Sequence, residues 1–261
     1  MRSDQIFRPL LWLLIAAGAF FGLATLIAPV TFASITGFAG TDVFTYRLAG
    51  AATFAYAAGL AAGSRASWAE LRIPIASTLT FNAASILACL VAIVAGGAQL
   101  IVFVILLASI AFTLGTAQLL RQPPMAASGK ARAELERLIA QWVYILFAIG
   151  VAAAAVFGLG PLLLGGQFGV IVGAAGNDSF VYRQAGAATF GAAVGGYLVL
   201  RSRRWSAARI PALMAVVFNG LSVIAAIIEI VNGAQPVAYL ILAAAAFTTI
   251  GMALALYRRG R

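Results

Sequence analysis

Long apolar runs separated by short polar stretches make up almost the whole chain. A hydrocarbon core of roughly 30 Å needs about 20 helical residues at 1.5 Å each. Runs of that length fall near 9–28, 46–63, 74–96 and 99–120, and again near 138–159, 180–200, 211–231 and 236–257. The pattern predicts an all-α integral membrane protein with eight transmembrane helices. Pro9, Pro74, Pro211 and Pro236 stand at predicted first helical turns, where a missing N–H costs nothing.

The second set of runs repeats the first. Residues 42–54 read DVFTYRLAGAATF and residues 178–190 read DSFVYRQAGAATF, ten identities in thirteen at an offset of 136. The register continues through Trp68, Arg72, Ile73 and Pro74 against Trp205, Arg209, Ile210 and Pro211. Phe81-Asn82 matches Phe218-Asn219, and Gly97-Ala98-Gln99 matches Gly233-Ala234-Gln235. The chain therefore reads as a duplication, with repeats at 1–125 and 126–261. An even number of spans per repeat makes both copies enter the membrane in the same direction. The expected arrangement is two parallel four-helix bundles side by side, related by a pseudo-two-fold axis along the membrane normal.

Charge assigns the sides. Of the 17 Lys and Arg, 15 fall in segments on the side of the N-terminus, and only Arg47 and Arg183 fall on the other. The positive-inside rule then puts both termini in the cytoplasm and the protein in the plasma (inner) membrane. Trp12, Trp68, Trp142 and Trp205 map to the same inner interface, where an indole suits the headgroup region. The apolar segment from Leu10 to Ala28 is too long for a signal-peptide core and recurs in the second repeat, so it reads as a span. The linker 121–137 carries Lys130/Glu134 and Arg132/Glu136 at helical spacing and is expected to end as a cytoplasmic extension of the fifth helix.

Of 261 residues, 63% are hydrophobic and 9% charged, a balance that suits lipid as solvent. The 17 basic residues against 7 acidic ones imply contact with anionic headgroups, not nucleic acid. Histidine is absent and Cys89 is the single cysteine, which removes His-based acid–base catalysis, zinc chemistry and disulfides. No phosphate-binding loop, nucleophile elbow or metal-ligand cluster occurs, so no catalytic residue, metal or cofactor is expected.

Few polar residues remain as candidates for ligand binding. The duplicated Asp-x-x-x-Tyr-Arg element supplies Asp42, Tyr46 and Arg47 and their counterparts Asp178, Tyr182 and Arg183, nearly all the charge of the outer face. Either these groups line an outer vestibule with arginines facing an anion, or each aspartate caps a helix at the surface and its arginine pairs with a nearby carboxylate. Glu229, near the outer end of the seventh span, reads as a coupling-ion site or as the partner of Arg47 or Arg183. Asn82 and Asn219 are the deepest duplicated polar groups; they serve either hydrogen bonds between helices of one repeat or a polar substrate site. Small residues at Ala51, Ala55, Gly59 and Gly63, and at Ala187, Gly191 and Gly195, place the second and sixth spans near the interface between repeats. The uncharged outer loops 29–41 and 161–177, with Phe32, Phe38 and Phe168, are expected to lie on the bundle as interfacial or re-entrant segments, or to meet another membrane subunit.

Two functions fit: a non-enzymatic membrane protein that binds or passes a small solute between its repeats, and an accessory or scaffold subunit of a larger membrane complex. Topology is the common premise, and position 130 tests it. In a Cys89→Ala background, Lys130→Cys is expected to react with a membrane-impermeant maleimide only in permeabilised cells; labelling of intact cells would reverse the assignment.

Overall fold

The computed structural model describes residues 4–37, 42–121, 137–174, 178–233 and 236–259. Every element among them is an α-helix: α1 (Asp4–Ile27), α2 (Pro29–Thr36), α3 (Val43–Gly63), α4 (Trp68–Val94), α5 (Leu100–Leu120), α6 (Gln141–Leu164), α7 (Gly166–Ile171), α8 (Ser179–Ser202), α9 (Trp205–Val231) and α10 (Pro236–Arg259). Six of these, α1, α4, α5, α6, α9 and α10, are long and apolar enough to cross a membrane. They leave large apolar side chains such as Phe20, Leu107, Val156 and Ile250 on the outside, as lipid contact requires. The chain is thus a helical, multi-pass membrane protein.

α3 and α8 match the others in length but are less apolar, and packing explains why. They lie inside the assembly, flanked by α1 and α6 respectively, and are built from Gly, Ala and Thr. Close backbone approach selects small residues there, where lipid contact would select large ones. A Cβ on Gly186 of α8 would lie 2.5 Å from the Leu162 amide nitrogen of α6. One on Gly50 of α3 would lie 2.7 Å from the Gly22 carbonyl oxygen of α1. A Cβ added at Gly22 would lie 2.6 Å from the Phe54 amide nitrogen, and one at Gly158 2.7 Å from that of Phe190, the same tight pairing in each half.

α3, α4, α8 and α9 form the centre, with α1 along α3, α5 along α4, α6 along α8 and α10 along α9. The central helices do not pair within their own halves. α4 lies along α8 and α9 along α3, while the consecutive pairs α3–α4 and α8–α9 touch only briefly. This corrects the expectation of two bundles side by side: the third helix of each half is seated on the second helix of the other. The small-residue stripes are the reason. Gly191 and Gly195 of α8 face α4, where an added Cβ would come within 2.7 Å of the Ser77 carbonyl oxygen and 2.9 Å of Ser77 Oγ respectively. Gly59 and Gly63 of α3 face Met214 and Ile210 of α9. The stripes do mark the interface between halves, but α3 and α8 meet each other over a smaller area than each meets the opposite third helix.

The helices alternate in direction. Leu11, Leu14, Leu60, Leu71, Ile75 and Leu119 gather the starts of α1 and α4 with the ends of α3 and α5. Ile73, Val143, Val199, Trp205 and Met252 gather the second half at the same end. This basic end carries Arg203, stacked 5.0 Å from the Tyr144 ring centre, and Arg258, 5.9 Å from that of Trp142.

Three local expectations change. Pro9, Pro74 and Pro211 lie inside their helices, not in the first turn. For α4 the start is set upstream, because Glu70 Oε2 accepts from Ser67 N at 3.0 Å and Ser67 Oγ at 2.9 Å, anchoring the turn before Pro74. Residues 137–140 do not extend α6 as helix. They run extended beside 203–205, with Ile139 N donating to Arg203 O at 2.9 Å and Trp205 N to Arg137 O at 2.7 Å. The charged positions 130–136 lie outside the described residues. The outer loops fold as the short helices α2 and α7 and lie on the bundle. Phe32 meets Phe20 and Phe21 edge-to-face, and Phe168 meets Phe157. Phe38 lies outside the described residues.

Candidate functional site

At the far end from the arginine-rich one, the duplicated aspartates begin α3 and α8. Asp42 Oδ1 accepts from Thr45 N at 3.0 Å, and its Oδ2 accepts from Thr45 Oγ1 at 2.7 Å. Asp178 Oδ1 accepts from Val181 N at 3.2 Å. Both are N-caps, in keeping with the preference for Asp at that position. They are not at the surface, however, being 3% and 8% exposed. Each is closed over by a tyrosine from the other half: Tyr182 donates to Asp42 Oδ2 at 2.7 Å, and Tyr46 donates to Asp178 Oδ2 at 3.0 Å.

The arginines take no part in this lock. Among the described residues no ion pair joins Arg47 or Arg183 to Asp42, Asp178 or Glu229, which corrects the expected pairing. A buried carboxylate is satisfied here by hydroxyl and backbone N–H donors, which add no second charge to desolvate. Arg183 Nη1 donates to Ser179 O at 3.3 Å and rests against Gly165, where a Cβ would sit 2.6 Å from it. Among the described residues an ion pair spans the halves at the opposite end, Arg209 to Glu70 at 3.6 Å.

Two cavities lie between the helices. The larger, about 360 Å³, is walled by α6, α8, α9 and α10 and closed by Phe44, Leu48 and Ala52 of α3, so both halves line it. Its lining is richest in Ala and Phe, with Asn219, Thr189, Ser222 and Tyr182 among its polar groups. The smaller, about 140 Å³, is walled by α1, α3, α4 and α5, and closed by Val181 and Gln184 of α8. Asn82, Tyr46, Ser85 and Ser109 line it.

The nine candidate residues are therefore divided. Tyr46 and Asn82 line the smaller cavity, and Tyr182 and Asn219 the larger. Asp42 and Asp178 lie behind the tyrosines, while Arg47, Arg183 and Glu229 line neither cavity. Asn82 and Asn219 do not bond between helices as expected. Each amide nitrogen donates to its own helix one turn back, Asn82 to Thr78 O at 2.8 Å and Asn219 to Ala215 O at 2.9 Å. The i−4 carbonyl is the acceptor within reach of a side chain pointing back along its helix.

Several polar residues had not stood out in the sequence. Ser109 Oγ donates to Ser85 Oγ at 3.1 Å, Ser85 to Gln184 Oε1 at 2.7 Å, and Gln184 Nε2 lies 3.5 Å from Cys89 Sγ, a relay across three helices and both halves. Tyr56 donates to Ala188 O at 2.7 Å and Ser77 to Gly191 O at 2.6 Å, again across halves. Their signal was divergence: Gln184 stands where the first repeat has Leu48, Tyr56 where the second has Ala192, and Ser77 where the second has Met214.

No family profile, curated protein sequence or solved structure matches the chain.

A hydrogen bond to a charged group contributes about 1.5–3 kcal/mol. Tyr182→Phe is expected to lower stability by about that amount, since Asp42 keeps only its Thr45 donors. Thermal unfolding in detergent checks this; a transition within error of the wild type would show that the tyrosines fill space without locking the halves.

Proposed function

We propose that this is a non-enzymatic membrane protein that binds a small, largely apolar solute between its two halves, in the larger cavity. The carrying observation is that cavity itself. At about 360 Å³ it lies within the range of small-molecule sites, and a mainly apolar wall with a few polar groups is their usual chemistry. Arg47, Arg183 and Glu229 stand apart from it, so the favoured solute is neutral.

In this reading all eight long helices cross the plasma (inner) membrane, α3 and α8 sheathed by the other six. The two repeats, 1–125 and 126–261, are related by a pseudo-two-fold axis along the membrane normal, and both termini are cytoplasmic. Support comes from the matched approaches of α1 to α3 and α6 to α8, and from the reciprocal Tyr–Asp bonds. One observation favours the scaffold reading as second choice: Val30, Ile35, Val170 and Ile171 of the two short outer helices are exposed, as a subunit contact would need.

Native mass spectrometry of the protein extracted in lipid nanodiscs separates these. The solute reading expects one small-molecule adduct on the wild type, lost in Ala215→Phe, which fills the larger cavity, with the thermal transition retained. An adduct that survives in Ala215→Phe, or a wild type that carries none and flies bound to another protein, contradicts it.

A further inference from the structure

Both cavities are aromatic-walled and free of charged lining residues, and the smaller is sized for a smaller guest. Six aromatic side chains surround it, Phe21, Phe32, Tyr46, Tyr56, Phe81 and Phe112, and no charged residue lines it. Its volume of about 140 Å³ is close to that of an engineered apolar cavity, about 150 Å³, that takes up benzene. One six-membered ring is therefore the size of guest it admits, and aromatic edges and faces suit such a ring.

Its polar groups are mostly committed. Ser109, Ser85 and Gln184 form the relay to Cys89, Thr78 donates to Pro74 O at 2.8 Å, and Thr25 to Phe21 O at 2.7 Å. Tyr46 and Tyr56 donate to Asp178 and Ala188. Two groups are left. Asn82, only 6% exposed, spends its amide nitrogen on Thr78 O, and since a carbonyl accepts only from the nitrogen, Oδ1 is what the side chain offers the cavity. Oδ1 has no partner among the described residues, nor has the Thr53 hydroxyl. An amide oxygen that faces a mainly apolar cavity without a partner costs free energy that a donor from a guest would recover.

We propose that the smaller cavity is a second binding site, for a neutral single-ring molecule bearing a hydroxyl, which donates to Asn82 Oδ1 and accepts from Thr53. Gln184 of the second half closes the site, so it too exists only when the halves are joined. The proposal is independent of the solute reading for the larger cavity.

Phenol is the probe, titrated calorimetrically into full-length protein in nanodiscs against empty nanodiscs, with benzene and benzoate alongside. Saturable phenol binding is expected, with benzene weaker and benzoate not bound. Asn82→Leu is expected to weaken phenol by about 3- to 10-fold, the worth of one neutral hydrogen bond, and to leave benzene unchanged. Ala108→Phe fills this cavity from α5 while keeping the Asn82 side chain in the sequence and is expected to abolish phenol binding, whereas Ala215→Phe in the larger cavity is expected to preserve it. The site is refuted by phenol behaving as in empty nanodiscs, by benzoate binding, by loss in Ala215→Phe with retention in Ala108→Phe, or by equal effects of Asn82→Leu on phenol and benzene. Should Asn82→Leu not fold, the two alanine variants decide.

Discussion

Two carboxylates buried at one end of an apolar bundle must be satisfied by donors that the protein brings to them, because lipid supplies none. Asp42 and Asp178 each take a backbone N–H from their own helix and a tyrosine hydroxyl from the opposite half. That exchange fixes the starts of α3 and α8 relative to each other. With those two helices held at the centre, α4 seats on α8 and α9 on α3, stitched further down by Tyr56 to Ala188 and Ser77 to Gly191. Neither half completes its own interior. Both cavities depend on the other half for a wall, through Leu48 and Ala52 in one and Val181 and Gln184 in the other.

Much of this was legible in the sequence, and the parts that were not share a cause. Apolar run length located all eight long helices but missed some ends by five or six residues, because polar or capped turns extend a helix beyond its apolar run. Small residues at a four-residue spacing marked α3 and α8 as the helices whose backbones are closely approached, each by other helices more than by its counterpart, and Asp42 and Asp178 as caps followed from position alone. What failed was partner assignment. Charge counting gave the aspartates to Arg47 and Arg183, when nearby hydroxyls serve a buried carboxylate without a second desolvated charge. The repeat boundary suggested self-contained bundles, since a linear sequence does not say which copy's third helix a second helix will meet. Asn82 and Asn219 read as bridges between helices, but a side chain directed back along its helix reaches its own i−4 carbonyl first.

Differences between the matching sequence segments accompany the unequal cavities. Matching positions place Tyr46 and Tyr182, Thr53 and Thr189, and Asn82 and Asn219 in the walls of the two cavities. Where the copies differ, polarity moves to one side. Gln184, from the second half, closes the first half's cavity and completes the Ser109–Ser85 relay, while Leu48 at the equivalent place closes the second half's cavity with an apolar surface. The smaller cavity gains hydrogen-bonding capacity and the larger gains volume. The two cavities thus differ in size and in polar lining, and both lie beside helices held by the Tyr–Asp lock.

Dependence of each half on the other is the central claim, and separating the halves tests it most directly. Residues 1–125 and 126–261, produced as two chains in the same cell and purified through a tag on one of them, should emerge as a one-to-one complex that unfolds in a single thermal transition. Two halves that purify separately as folded monomers, each with the transition of the intact protein, would contradict the interlocked arrangement.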